Sequence, residues 1–440
     1  MAVQSMTSGR NPASNQAATN VAALSMVTTL FFVWGFLTSL NDILIPHLKA
    51  IFDLDYAKAT LVQTAFFASY AIFAAPSGKL VEMIGYKKTM VIGLLVMAVG
   101  ALLFIPAAAG PSYPLFLGAL IVLATGITAL QVSANPYVSV LGPERTASSR
   151  LNLAQGFNSL GTTLAPYFGS ILILSAAPKT MEEVRALSAA ALQSYRVHEA
   201  SSVKLPYLYI ALALVLLGLS VAIFKLPKIE QTQDFRPGAG HTGDSIWRYR
   251  HTVLGAIGIF VYVGAEVSIG SFLVNYFTQP DTGGLTVQHA AKLVSFYWGG
   301  AMIGRFIGSA VLQRFSPGKL LGIVSVVACV LVGTSMLSFG DVAIWTILLV
   351  GLCNSVMFPI IFTLGIAELG PLTGKGSGLL VAAIVGGAIV PVAEGALADH
   401  IGLHHAFIVP ILCYIFIAYY GYSGYKPVRT AGILSAVDNA

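Results

Sequence analysis

Charged residues are scarce in this chain of 440 residues. Asp, Glu, Lys and Arg together make up 10% of it, whereas 56% of the residues are hydrophobic. A soluble globule of this length needs far more polar surface to face water. The mean hydropathy of +0.80 agrees with that balance. The composition therefore excludes an ordinary soluble domain and indicates an integral membrane protein.

Cysteine is also rare, and Cys329, Cys353 and Cys413 all lie in apolar stretches. This placement excludes a disulfide framework and a cysteine metal cluster. The sequence has no Gly-x-x-x-x-Gly-Lys-Ser/Thr loop, which argues against ATP-driven transport. Three histidines near the outer ends of the last stretches are better explained as interface residues than as metal ligands: His400, His404 and His405. We therefore expect no enzyme activity, no cofactor and no bound metal.

The apolar residues are gathered in twelve stretches, each long enough to cross a bilayer, which takes about 20 residues of helix. Only helices or closed barrels satisfy their backbone groups in hydrocarbon. The sequence thus predicts an all-α membrane protein with twelve transmembrane helices. The predicted spans are 22–47, 60–80, 89–109, 113–141, 151–174, 205–225, 252–278, 289–313, 319–338, 343–369, 376–398 and 404–424.

A polar, basic segment at 226–250, which contains Pro227 and Pro237, separates six spans from six. Residues 1–20 are polar and carry one charge, Arg10, so the sequence predicts a tail there rather than a signal peptide. The predicted organisation is a disordered cytoplasmic tail (1–20), a six-helix bundle (21–225), a cytoplasmic linker (226–250), a second six-helix bundle (251–425) and a cytoplasmic tail (426–440).

The two halves contain three pairs of weakly similar sequence segments in the same order, which indicates an internal duplication. Paired six-helix halves are a recurring plan of transporters, with the substrate near the midplane between them. The matched pairs are 78–88 with 308–319, 141–143 with 369–371, and 161–166 with 386–391.

Basic residues indicate the orientation. With the N-terminus inside, 17 of the 24 Lys and Arg residues fall on inner segments and 7 on outer ones. Lys and Arg in short loops mark the cytoplasmic side. We expect a multi-pass protein of the plasma membrane, in a bacterium the inner membrane, with both termini cytoplasmic. The net charge of +6 then reflects topology and does not indicate nucleic-acid binding.

Several strings resemble one family of transporters. The loop Gly78…Glu82…Gly85-Tyr86-Lys87-Lys88 is similar to the signature loop of the major facilitator superfamily, with Glu82 in place of the usual Asp. Longer strings resemble its fucose/glucose/galactose symporters, and most closely the glucose/galactose branch. They are 32–46, 134–143, 150–159, 358–366 and 386–391.

This resemblance implies the major facilitator fold of two six-helix bundles. It also implies import of a hexose (glucose or galactose, with fucose as a further option) by cation-coupled symport with alternating access. The partners would be the hexose, a coupling cation (H⁺ or Na⁺) and the bilayer, and the chain would act as a monomer. The alternative is a major facilitator carrier, or an efflux transporter, for another small solute.

Ionisable residues inside membrane helices are costly, so they mark functional sites. Asp42 in the first span matches the carboxylate that the related symporters protonate, and Glu266 in the seventh is a second candidate for coupling. A structural hydrogen bond is the alternative for each of them. Glu394 in span 11 lies close to the predicted outer interface, and its role stays open. At the cytoplasmic helix ends, Glu82, Lys87, Lys88 and Arg305 fit a latch between helices.

Amides and carboxylates provide the paired donors and acceptors that sugar hydroxyls need. Asn152, Gln155 and Asn158 recur every three residues and form one polar stripe, whereas hydrogen bonding between helices is the alternative. The candidate sugar-binding residues are Ser39, Asn41, Gln131, Asn135, Gln155, Asn158, Glu266, Asn275, Trp298 and Asn354.

One departure from the family affects the coupling chemistry. The proton-coupled fucose transporters carry a glutamate where this chain has Gln131, which cannot titrate. The resemblance therefore leaves the coupling step to Asp42, with Glu266 as the second carboxylate.

The distribution of basic residues predicts the topology directly. In a cysteine-free background, a cysteine at Ser188 should react with an impermeant thiol reagent added to intact cells. A cysteine at Thr232, in the linker, should react only after the membrane is permeabilised. Strong labelling of position 232 from outside would contradict the twelve-span arrangement.

Overall fold

A computed structural model of the chain describes residues 19–52, 56–109, 112–172, 186–188, 190–192, 194–195, 204–227 and 245–427. The side chains of 40–52, 56–61 and 169–172 lie outside this description. The predicted tails, most of the predicted linker and the side chains of Asn41 and Asp42 therefore fall outside it.

The described part of the chain is helical and contains no strand, which confirms the expected all-α membrane fold. Nine of its helices are long and apolar enough to cross a membrane. The first half contains α1 (Val21–Phe52), α2 (Tyr56–Ile84), α3 (Tyr86–Ala109), α4 (Tyr113–Val140), α5 (Ala147–Leu172) and α6 (Lys204–Ile223). The second half contains α7 (Arg250–Thr278), α8 (Val287–Val311), α9 (Pro317–Leu337), α10 (Gly340–Gly365), α11 (Gly370–Ile401) and α12 (Leu403–Gly424).

The outer faces of the helices are apolar. On α6, Leu212, Leu216 and Leu219 are each more than half exposed, although they are leucines. Such a face is unfavourable in water and suits contact with lipid chains. The helices therefore turn their polar side chains inwards, where other helices can satisfy them.

Glycines bring neighbouring helices close together inside each half. A Cβ atom at Gly126 of α4 would lie 2.5 Å from the carbonyl oxygen of Gly93 on α3. Small residues let helix backbones approach and gain dispersion contacts where lipid provides no hydrophobic driving force. A side chain at Gly126 would force α3 and α4 apart.

A buried arginine stabilises the end of α4. The Arg150 guanidinium donates hydrogen bonds to the carbonyl oxygens of Val138 (3.2 Å), Ser139 and Pro143 (2.9 Å). Val138 and Ser139 belong to the last turn of α4, whose carbonyls lack the usual partner four residues on, and Pro143 lies in the loop that follows. A cation is also favoured at a helix C-terminus. Arg150 therefore fixes the α4–α5 corner.

The two halves are joined at the end of the bundle where α1 begins and the linker attaches, which we call the linker side. Ser148 bonds Thr363 (2.6 Å), and Ser149 donates to the Ser309 carbonyl oxygen (2.6 Å). From the second half, Ser377 donates to the Val132 carbonyl oxygen (2.7 Å). These serines lie at the starts of α5 and α11, the corresponding helices of the two halves.

The bond from Ser377 has a clear cause. Pro136 inside α4 has no N–H group, so the carbonyl of Val132, four residues earlier, loses its intrahelical donor. The Ser377 hydroxyl supplies that donor from the other half. In a membrane, such a buried carbonyl needs a protein partner.

Helices α2 and α11 also cross on the linker side. A Cβ at Gly78 would lie 2.7 Å from the Gly374 carbonyl oxygen, so the two backbones are nearly in contact. One turn further on, Lys375 pairs with Glu82 at 3.6 Å. The halves are thus closed against each other at the linker side.

Candidate functional site

A cluster of buried tyrosines surrounds Glu266 and Asn354 in the second half. The Asn354 side chain donates to the Tyr297 hydroxyl (2.8 Å) and accepts from the Tyr414 hydroxyl (2.9 Å). Tyr297 in turn donates to the Glu266 carbonyl oxygen (3.2 Å). All of these side chains are buried, with Glu266 9% exposed. The bonds hold α7, α8, α10 and α12 in a fixed arrangement.

The break in α10 lies at this cluster. The helix is interrupted between Asn354 and Met357, although the sequence reads as one continuous span over 343–369. Pro359 cannot donate to the carbonyl four residues before it, which weakens the helix there. The Tyr262 hydroxyl donates to the Asn354 carbonyl oxygen (3.2 Å). Discontinuous helices of this kind line binding sites in transporters.

Arg305 of α8 links the two halves. Its guanidinium donates to the Ser159 hydroxyl of α5 and lies 3.9 Å from the Glu266 carboxylate of α7. The Asn152 amide of α5 donates to the Arg305 carbonyl oxygen (2.6 Å). Both ends of the Arg305–Glu266 pair are largely buried, at 14% and 12% side-chain exposure. Arg305 lies six residues before the end of α8, where it contacts both α5 and α7.

The predicted amides of the first half form a second group. Gln131 donates to the Tyr70 hydroxyl (3.0 Å), and Gln155 donates to the Asn135 side-chain oxygen (3.5 Å). All four of these residues are buried. Gln155 is one turn before Ser159 on α5. Gln155 therefore lies on the face of α5 that carries Ser159, the partner of Arg305.

Several buried polar atoms in these groups have no hydrogen-bond partner among the described residues. Buried polar groups are normally paired, so such a concentration points to a ligand or water. Donors and acceptors both occur, and they belong to both halves. They are Asn135 Nδ2, Asn152 Oδ1, Glu266 Oε1 and Arg305 Nε. We call the four residues that carry these atoms the polar seam: Asn135, Asn152, Glu266 and Arg305.

Other predicted sugar-binding residues have different surroundings. Asn158 donates to the Phe31 carbonyl oxygen (2.9 Å) and so joins α5 to α1. Ser39 is buried, whereas Asn275 is exposed near the end of α7. Trp298 is 43% exposed, beside Gly270 and at 5.1 Å between ring centroids from Tyr297.

The predicted latch residues also make different contacts from one another. Glu82 bridges the halves through Lys375. Lys87 instead donates to the Ala222 carbonyl oxygen of α6 (2.8 Å), within the first half, and Lys88 is exposed.

Sequence reasoning did not select Tyr70, Tyr262, Tyr414 or Ser159 for the site. Tyrosine is common in apolar spans as a core or interface residue, and a single serine carries no signal. The available signal is spacing, since Tyr262 and Glu266 are one turn apart and Gln155 and Ser159 likewise.

Comparison with known proteins gives consistent results. The model of the Major Facilitator Superfamily matches residues 26–384. The chain is 52% identical over 408 residues to the glucose/galactose transporter of Brucella abortus biovar 1 (strain 9-941), covering 92% of this chain and 94% of that protein. It is 35% identical over 406 residues to the L-fucose-proton symporter of Escherichia coli (strain K12), covering 91% and 92%.

A solved structure is also similar. The crystal structure of the Major Facilitator Superfamily transporter FucP in the outward conformation superposes with a TM-score of 0.83 at 34% identity, covering 90% of this chain and 97% of that one.

Proposed function

The chain belongs to the Major Facilitator Superfamily, and on that premise we propose that it imports a hexose, glucose or galactose, by proton-coupled symport. The relatives named as a glucose/galactose transporter and an L-fucose-proton symporter support the substrate class and the proton. We propose a monomer as the working unit, because both halves that supply the site belong to the same chain.

The polar seam is the observation that carries this proposal. Buried donors and acceptors without a hydrogen-bond partner among the described residues occur in both halves, at Asn135, Asn152, Glu266 and Arg305. Glu266 and Arg305 also form an ion pair at 3.9 Å. Each sugar hydroxyl both donates and accepts a hydrogen bond, so a hexose can satisfy such a mixed set. An apolar or purely cationic solute would leave some of these donors and acceptors without a hydrogen-bond partner.

The closed linker side supports alternating access. The cross-half contacts at Ser149, Ser377 and the Glu82–Lys375 pair close one end of the path. With both termini cytoplasmic in a bacterial inner membrane, this state receives sugar from outside. Transport then requires these contacts to open while the far ends of the halves approach.

Coupling is assigned to two carboxylates. Gln131 cannot carry a proton, and it already donates to Tyr70. Asp42 lies in α1, ten residues before its end, and matches the protonated carboxylate of the related symporters. Glu266 pairs with Arg305 at the junction of the halves, where it can respond to sugar. Because linkage is reciprocal, proton and sugar each tighten the binding of the other.

The proposal is tested in proteoliposomes with labelled glucose and galactose. An inward proton gradient should drive accumulation by the wild type, and a sodium gradient should not. Asp42→Asn should abolish accumulation, because the substituted amide cannot bind a proton. It should retain counterflow, which needs no net movement of the cation.

Counterflow serves as the folding control in that experiment. Accumulation retained in Asp42→Asn would reject Asp42 as the coupling residue. Sodium-driven accumulation by the wild type would reject the proton, and the absence of hexose uptake would reject the substrate class.

The sugar contact is tested by a matched pair of amide variants. Gln155→Ala should weaken sugar binding by about 1–3 kcal/mol, roughly 5- to 150-fold, because it leaves polar groups of the bound state unpaired. The exposed Gln313 in the α8–α9 loop provides the control, and Gln313→Ala should bind normally. The measurement is the dissociation constant by calorimetry. Unchanged affinity in Gln155→Ala would assign this amide to helix packing.

A further inference from the structure

Glu394 of α11 is a second buried carboxylate of the C-terminal half, apart from the polar seam. Its side chain is 0% exposed. Oε2 accepts a hydrogen bond from the Ser268 hydroxyl of α7, which is also fully buried. Oε1 has no hydrogen-bond partner among the described residues. The group thus lies inside the bundle, seven residues, or about two turns, before the end of α11.

No cation balances this carboxylate in the described part of the chain, where none of the ion pairs involves it. Tyr297 and Cys413 are close enough to interact with it electrostatically. Arg305, the basic residue of the polar seam, is paired with Glu266. The described titratable groups on α11 and on the helices packed around this part of it are Asp399 and His400 on α11, Tyr70 on α2, Tyr262, Glu266 and Tyr276 on α7, Tyr297 on α8, Cys353 on α10, and His404, His405, Cys413 and Tyr414 on α12. The side chains of Tyr56 and Lys58 on α2 lie outside the described residues.

This environment favours a neutral carboxylic acid. A buried charge is tolerated when it is paired or coordinates a metal, and otherwise the group takes up a proton. A hard metal cation needs several oxygen ligands. Here one serine hydroxyl meets the carboxylate, and that hydroxyl is donating. Among the described residues, the surroundings therefore fit a proton and do not supply the ligands of a metal ion.

We propose that Glu394 and Ser268 form a proton-binding site of the C-terminal half, distinct from Asp42 and Glu266. The site holds a proton in the conformation closed on the linker side. Ser268 and Glu266 are two residues apart on α7, and Tyr297 reaches the Glu266 carbonyl. A shift of α7 during alternating access changes the contacts of both carboxylates, so proton occupancy at Glu394 follows the conformation of the sugar site.

Proton binding itself is independent of the proposed sugar transport, whereas its part in the transport cycle rests on that function. The two are tested separately. Infrared difference spectroscopy on the purified full-length protein in lipid, titrated without sugar, reports protonated carboxylic acids through their C=O stretch. The wild type should show such a band at neutral pH, and Glu394→Gln should lose it.

Glu144→Gln is the matched control, because Glu144 is exposed in the α4–α5 loop, and it should keep the band. Ser268→Ala retains the carboxyl group and removes its hydrogen-bond donor, so the band should shift in frequency rather than vanish. If Glu394→Gln fails to fold, Ser268→Ala alone tests whether the band comes from the Glu394 carboxylic acid. Identical spectra for the wild type and Glu394→Gln, or an unshifted band in Ser268→Ala, would overturn the site.

The transport role is tested by the pH dependence of hexose affinity. The wild type should bind more weakly as the medium becomes alkaline, and Glu394→Gln, which mimics the protonated state, should lose less affinity. Coincident pH profiles would reject the coupling role. If the wild type binds no hexose at all, the proposed function fails, while the infrared measurement still decides the proton site.

Discussion

The central constraint on this structure is that a polar group inside the bilayer must find its partner within the protein. Pro136 shows how the constraint shapes the fold. It deprives the Val132 carbonyl of its helical donor, and Ser377 of the other half replaces that donor. A local defect in one helix thereby becomes a contact between the halves. The same need brings Arg305, Glu266 and Ser159 together at the centre.

The contacts fall into two classes with different mechanical roles. Within each half, glycine packing and buried hydrogen bonds are dense, as in the Asn354 cluster with Tyr297 and Tyr414. Between the halves, serine, amide and ionic contacts close the linker side, together with the close approach of Gly78 to Gly374. Two rigid bodies joined by exchangeable polar contacts are suited to rocking about a central site. A sugar and a proton can bias that motion, because each changes the balance of polar partners at the seam.

Much of the fold could be predicted from the sequence, because each span must be long and apolar and each loop short and polar. The site was predictable only in part. Glu266, Gln131, Asn135 and Gln155 were identifiable as costly polar groups in apolar helices. The partners of Arg305 were not, since Ser159 depends on how the halves dock and Glu266 on how α7 and α8 pack within the second half. The break in α10 was also hidden, because Asn354-Ser355-Val356 is as compatible with a helix as its neighbours until the tyrosines compete for its polar groups.

The account depends on the halves separating at the linker side during transport, and one cross-link tests this directly. Glu82→Cys and Lys375→Cys, in a background without the native cysteines, are bridged by a short reducible bifunctional thiol reagent. The account predicts that the bridged protein still binds hexose but no longer accumulates it, and that reduction restores uptake. Each single-cysteine variant treated with the reagent should transport normally. Uptake by the bridged protein at the rate of the unbridged one would contradict alternating access through this interface.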